Sequence, residues 1–368
     1  MTLIAYTTPR HEDLQDGIFE IIQEDNDQFS RLFLNHNMAA TNTKAEWVDK
    51  PLKGQRGRLN EALDSSETGI DISEASSKRI VVGATYIKID DEIMGPVSAV
   101  STNTLTVTRG ALGTTAASHV TGADVHFFML HEEGADNTRD DSQSGTKKHN
   151  FTWIGRRELK LSRTSQLVNS VGNDNAWASQ TRTLMRELMQ ELRNVAVSGT
   201  RYADADESLR LMGGLSYYVS NAKDMGESAI STSMINSQII ELLENGVNAS
   251  QLVMLTNSTQ IARINDMKVA RVTSGGMPHS DNTLRQNVDY YEFSDANVQI
   301  VRVPEIPRNE IYIVDKSRIS ICPLKGGSFK VEDIGKVGDS VQKLLVGEYT
   351  MKVGNGPEAH IRLKNLAI

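Results

Sequence analysis

The 368 residues include a single cysteine, Cys322, and only 5% are aromatic. One thiol excludes a disulfide framework and any zinc module built on several cysteines. No apolar run approaches the ~18 residues that a membrane-spanning helix needs. Positive charge is in deficit, with 39 Lys and Arg against 47 Asp and Glu and a formal net charge of −8. Affinity for phosphate comes mainly from Lys and Arg, so this balance argues against a dedicated nucleic-acid binder. The first residues, Met1 to Tyr6, lack a basic segment and are not expected to act as a secretory signal. Catalytic signatures are missing too. There is no G-x-S-x-G and no H-E-x-x-H, and the turn Leu255-Thr256-Asn257-Ser258 lacks the glycines that wrap a phosphate. His119, His126 and His131 do not share an even spacing, so they read as surface and turn residues rather than metal ligands. Asp90-Asp91-Glu92 reads as a solvated hairpin turn, and Cys322 before Pro323 as a structural thiol. Neither an enzyme nor a cofactor or metal site is expected.

What is present is a chain of several parts. Leu14, Ile18, Ile21, Ile22, Phe29 and Phe33 recur at near-helical spacing, and acids from Glu12 to Asp27 occupy the other positions. A stretch low in apolar residues follows from about 36 to 65, where Lys44, Lys50, Lys53, Arg56 and Arg58 cluster around one anchor, Trp47. Residues 68–130 carry short alternating runs with Gly-bearing turns, which predicts a small sandwich or barrel. After a polar linker, Phe151-Thr152-Trp153-Ile154 is expected to pair with the Trp47 strand, which makes the β unit an insertion at the tip of a hairpin. A long amphipathic helix is predicted from about 174 to 198, about 36 Å at ~1.5 Å per residue. Ser231 is a helix-cap candidate, and the runs 251–255, 298–303, 310–314 and 319–322 read as strands of an α/β part.

In this order the elements resemble the major capsid proteins of tailed bacteriophages, whose fold is the Hong Kong 97 (HK97)-like type. The phrases that carry the resemblance are Ala40-Thr41-Asn42-Thr43-Lys44-Ala45-Glu46-Trp47, Met212-Gly213-Gly214-Leu215, Val337-Gly338-Asp339-Ser340 and Val346-Gly347-Glu348-Tyr349-Thr350-Met351. They look like the branch typified by enterobacterial phages with a prolate head. Leu105 to Gly110, continuing through Gly113-Thr114 to His119 and Gly122, looks like a β module found in several virion proteins. The resemblance implies an α+β HK97-like fold with an inserted small all-β domain. Residues 1–35 would be an N-terminal arm, 36–67 with 131–165 an extended loop, and 68–130 the insertion. Residues 166–214 and 326–368 would form a peripheral domain with a spine helix, and 215–325 an axial domain. No fused scaffolding segment is expected before the arm.

The implied function is self-assembly, as hexamers and pentamers, into an icosahedral or prolate head shell around double-stranded DNA that is bound without sequence specificity. A portal protein, a separate scaffolding protein and a decoration protein are the implied partners, with no membrane. The place is the virion, after assembly in the host bacterial cytoplasm. The alternative is another virion structural protein, decoration or tail-associated, that carries a β module. Independently of any resemblance, the arm and hairpin hold Phe29, Phe33, Trp47 and Trp153 but too little apolar sequence for a core of their own. Burial against neighbouring copies is therefore expected. The expected inter-subunit contacts join Glu12, Asp16, Glu20 and Glu24 to Lys50, Lys53, Arg56, Arg58, Arg156 and Arg157, with Trp47 and Trp153 alongside.

Overall fold

The computed structural model describes residues 28–35, 38–50, 54–72, 80–130, 133, 145–162, 176–272, 290–293, 296–338 and 340–368. Three cores organise it. The first lies between a mixed six-stranded sheet and a second, antiparallel sheet. The six strands are β13 (Ala222–Asp224), β14 (Leu252–Thr256), β15 (Tyr290–Phe293), β16 (Ala296–Arg302), β17 (Ile311–Asp315) and β21 (His360–Lys364). Their order is β13-β21-β17-β14-β16-β15. The second sheet has β20 (Ser340–Val353) at its centre, flanked by β10 (Trp153–Ser162), β18 (Ile319–Pro323) and β19 (Lys330–Val337). Strand period two sets the layering. Val253 and Leu255 of β14 face the first core, while Leu252 and Met254 face the second, beneath helix Thr232–Glu244. Ser231 caps that helix by accepting from the Met234 amide at 3.3 Å.

The spine helix spans Ala176–Ser198 and buries Leu188, Leu192, Ala196 and Val197. Arg193, on the same helix, donates from Nε to Glu305 Oε1 at 2.9 Å, and both side chains are buried. Phe29 and Phe33, in the short helix Gln28–Phe33, are edge-to-face at 4.9 Å and sealed in the first core. Their burial comes from their own chain and not from a neighbouring copy. The six residues Gln28–Phe33, at the end of the stretch read as an N-terminal arm, lie between the two sheets.

Three boundaries differ from the sequence reading. Strand β1 (Lys44–Asp49) pairs with β9 (Thr146–Phe151), so Trp47 faces Lys148. Trp153 and Ile154 belong to β10 and pair with Tyr349 and Glu348 of β20. The inserted unit begins with β2 (Arg56–Arg58), which pairs with β8 (Asp124–Met129), and Leu59 and Leu63 lie in its core. Two isolated leucines among charged residues give no periodic signal. Finally, β21 runs through the six-stranded sheet between β13 and β17, so the tail closes the α/β part instead of the peripheral one.

The inserted unit has its own core of Ile70, Ile72, Ile87, Ile89, Met94, Leu105, Val125 and Phe127. Its two sheets hold β2, β8, β4 (Thr85–Ile89) and β5 (Glu92–Met94), and β3 (Gly69–Asp71), β7 (Thr104–Thr106) and β6 (Ala99–Ser101). At one end Glu92 is buried. The Arg109 guanidinium grips it through Nε to Oε1 at 2.8 Å and Nη2 to Oε2 at 2.9 Å. The amides of Ala117 and Gly110 also donate to it, at 2.9 and 3.1 Å. His119, likewise buried, places Nε2 3.1 Å from Glu92 and Nδ1 2.8 Å from Asp90. The solvated-turn reading of Glu92 and the surface reading of His119 are both corrected by this network. It satisfies a charge that burial alone would make untenable.

Burial pushes the Glu92 carboxyl up, but Arg109, the Ala117 amide, His119 and the Gly110 amide outweigh it and hold it at about 2. A carboxyl depressed from 4.5 to about 2 stabilises the fold fully above 4.5 and loses that contribution as pH falls towards 2. The loss is about 3 kcal/mol for the inserted unit. Cleavage within residues 84–130 by pepsin should rise steeply across that window. In Glu92→Gln the rise should be flattened, with lower stability at neutral pH.

Candidate functional site

The hairpin β1–β9 is rooted where three stretches of sequence meet. Asn150, fully buried, is the centre. Its Nδ2 donates to Gly213 O at 2.9 Å and Met351 O at 2.7 Å, while Oδ1 accepts from Gly213 N at 2.8 Å and Phe151 N at 2.9 Å. One amide side chain thus fills its hydrogen-bonding capacity and ties hairpin, glycine turn and β20 together. Thr350 Oγ1 donates to Phe151 O at 3.1 Å, and Thr152 N to Thr43 O at 2.9 Å. Glu348 accepts from Thr152 Oγ1 at 2.5 Å and from Arg210 at 3.0 Å.

The paired glycines are required by approach. A Cβ on Gly214 would lie 2.6 Å from the carbonyl oxygens of both Val195 and Ala196, in the last turns of the spine helix. The Gly214 amide donates to Gly199 O at 2.8 Å just beyond that helix. Beside them, Tyr218 Oη donates to His149 O at 2.6 Å and its ring lies 5.5 Å from that of Trp47. Burial, then the nearby Arg201 and Lys44 cations, hold the His149 ring below its usual range. The root of the hairpin is close-packed, and its central amide is fully hydrogen-bonded.

The expected contact residues are dispersed by the fold. Glu12, Asp16, Glu20, Glu24 and Lys53 lie outside the described residues. Trp153 is buried in the first core with Leu192 and Tyr349, so it is not available to a neighbour; the even spacing that aligns it with β10 turns it inward. Trp47 is half-buried, and its indole Nε1 has no hydrogen-bond partner among the described residues. Arg156 pairs with Glu158 at 2.5 Å and Arg157 with Glu191 of the spine helix at 2.8 Å. Arg58 reaches Asp124 at 3.9 Å and Glu244 at 3.4 Å across a cleft of about 340 Å³ between the inserted unit and helix Thr232–Glu244. Lys50 and Arg56 are exposed and make no ion pair among the described residues. Three of the expected cations are thus engaged inside their own chain, and two remain outward.

Sequence reasoning missed Asn150 and Glu348 as joints, although both stand in or beside stretches it singled out. Among the described residues no group of three or more His, Cys, Asp or Glu is gathered to hold a metal ion, and no helix is long and apolar enough to cross a membrane. Asn150→Ala would remove the side-chain partner of the Gly213 and Phe151 amides and of the Gly213 and Met351 carbonyls. It should destabilise the chain by about 3 kcal/mol, read in chemical denaturation, whereas Lys50→Ala should leave stability within about 0.5 kcal/mol.

Comparison with known proteins places this architecture. A search of curated proteins finds no match. Among solved structures, the chain is similar to the cyanophage A-1(L) capsid asymmetric unit, at a TM-score of 0.55 and 11% identity, over 93% of each chain. It is also similar to a chain of Microbacterium phage Oxtober96, at a TM-score of 0.51 and 10% identity, over 96% of this chain and 95% of the other. At such identities these likenesses speak for the fold, which is the HK97-like capsid fold. The family model described as SU10 major capsid protein matches residues 2–367, so the chain belongs to the SU10 major capsid protein family.

Proposed function

We propose that the chain is the repeating subunit of a tailed-phage head, assembling as hexamers and pentamers into an icosahedral or prolate shell around double-stranded DNA held without sequence specificity. The observation that carries this reading is the family match over residues 2–367. Physically, the hairpin supports it: β1 and β9 extend from a root whose polar groups are satisfied, while Val48 near its far end is 60% exposed. Such a limb gains burial from another copy. A portal protein, a separate scaffolding protein and a decoration protein are the partners this role calls for, with assembly in the host bacterial cytoplasm. The prolate-head enterobacterial branch is the finer placement favoured by the phrases around Trp47, Gly213 and Gly347. In domain terms we take residues 1–35 as the arm and 54–130 as the insertion, with 36–53 and 131–165 as the extended loop. Residues 215–318 with 356–368 form the axial part, and 166–214 with 319–355 the peripheral part. Electron microscopy of the expressed chain tests the role: shells or capsomer rings are expected, and discrete monomers at every concentration would overturn it.

Within this role the acids Glu12, Asp16, Glu20 and Glu24 engage the outward cations Lys50, Lys53 and Arg56 of a neighbouring copy. Their exposure, with no ion pair among the described residues, supports Lys50 and Arg56 in particular. Complementary charge of this kind governs the rate and register of association more than its final strength. Reversing Lys50, Lys53 and Arg56 to Glu should slow assembly at low salt by about tenfold or more and remove most of its salt dependence, followed by light scattering. Unchanged kinetics at every ionic strength would sink the pairing.

A further inference from the structure

The four-stranded sheet of the inserted unit, in the order β2-β8-β4-β5, turns one face to the core and leaves the other outside. Ile87, Ile89, Val125 and Phe127 point inward, so strand alternation puts Tyr86, Lys88, His126 and Phe128 on the outer face. Register arranges them in rows. Arg56, His126 and Lys88 stand side by side on β2, β8 and β4, and Phe128 and Tyr86 are neighbours in the next row, on the two central strands. Their rings are near-parallel, inclined by 17° with centroids 6.2 Å apart. Arg56, Lys88 and His126 are exposed and make no ion pair among the described residues. The acids of the adjoining cleft are engaged: Arg58 reaches Asp124 at 3.9 Å and Glu244 at 3.4 Å, and Lys223 reaches Glu241 at 3.1 Å. The outer face therefore carries unneutralised positive charge beside an aromatic pair.

Positive charge beside aromatic rings fits a ligand that brings negative charge and ring surface together. Charge density decides between the polymers that do so. Nucleic acid carries a phosphate at every residue and binds by having several of them neutralised. Here Arg56 and Lys88 supply the charge of the row, and Asp91, Asp124, Glu241 and Glu244 stand around it, so a continuous run of phosphates would meet repulsion on either side. The acidic segment Glu12 to Asp27 of another copy has sparser charge but no hydroxyl group among its side chains. Tyr86 Oη has no hydrogen-bond partner among the described residues and His126 is exposed, so the face offers hydrogen bonds that the hydroxyls of a sugar would take up. Arg56 and Lys88 are two strand spacings apart, about 10 Å, which leaves room for a neutral ring between two carboxylates. We infer that the outer face of this sheet binds an acidic polysaccharide in which carboxylated sugars alternate with neutral ones, the carboxylates at Lys88 and Arg56 and a ring face on Tyr86 and Phe128. In a shell of many copies, a weak contact at each adds up to firm attachment.

Sugar binding goes beyond the role of shell subunit and is tested apart from it. Arg56 also serves the arm pairing proposed above, so Lys88 and Tyr86 carry the test. The probe is a fluorescein-labelled hyaluronan hexasaccharide, in which glucuronate alternates with N-acetylglucosamine, titrated with the full chain and followed by anisotropy. Saturable binding is expected, weakened about tenfold or more in Lys88→Glu and kept in Lys88→Arg. Tyr86→Phe, which removes only the hydroxyl, should weaken it about threefold. Each variant should unfold thermally at the wild-type temperature, since Lys88 is exposed and the Tyr86 ring is retained. Neutral maltohexaose should not displace the probe. Absence of saturable binding, or wild-type affinity in a folded Lys88→Glu chain, would overturn the proposal. So would stronger displacement by an oligothymidylate or by a peptide of residues 12–27 than by unlabelled hexasaccharide, which would assign the face to nucleic acid or to the arm. Particles that form without binding the probe leave the shell reading intact, and a chain that binds the probe without forming particles leaves the sugar face intact.

Discussion

The structure depends on how closely two backbones meet at the C-terminal end of the spine helix. With Gly214 in place, the turn after Met212 rests directly on the carbonyls of Val195 and Ala196, and any side chain there would hold the two apart. That approach brings the Gly213 peptide within reach of Asn150, which binds both its N–H and its C=O. From this contact the hairpin takes its direction, β20 its place beside the hairpin, and the first core its closure. Had the turn stood further out, Asn150 would lose both of its bonds to Gly213 and keep only those to Met351 and Phe151, and the cost would fall on every element that meets there.

The inserted unit is organised on a different principle. Its strands are short and its apolar core is small, so its irregular loop from Val107 to Gly122 is fixed from within by charge. Arg109 donates to Glu92, to the carbonyls of Asp64 and Glu67, and to Ala117 O, and so draws three separate segments onto one carboxylate. Towards the α/β part its described contacts include the exposed Arg58–Glu244 pair, a weak link by comparison. A unit that is rigid inside and loosely joined outside can be gained or lost in a family without disturbing the hairpin root.

Much of the plan is legible in the sequence. The spine helix, the Ser231 cap and the strands of the α/β part follow from periodicity, because each is long enough for its pattern to repeat. Order along the chain then brought out the capsid-like arrangement. What was not legible are pairings that depend on distance along the chain. Glu92 reads as one acid in an acidic turn until Arg109 and His119 are brought to it. Trp153 reads as a hairpin anchor until its strand is known to pair with β20 and not with β1. Leu59, Leu63, Phe29 and Phe33 are too sparse in their own neighbourhoods to announce burial. The expected charge pairing fared similarly: Arg58, Arg156 and Arg157 find carboxylates within the subunit, a choice that composition cannot reveal. The outward positions of Lys50 and Arg56 come from the fold alone.

Strand β20 has a mechanical consequence. It runs unbroken from Ser340 to Val353, bonded along one side to β10 and along the other to β19 and then β18. At about 3.3 Å per residue that is roughly 45 Å of continuous ladder. A pull along this strand loads its hydrogen bonds together, in shear, instead of peeling them one at a time. The wall of a container that resists pressure from within is under tension in its own plane. A strand of this length, gripped on both sides, is a tie-rod built into each subunit.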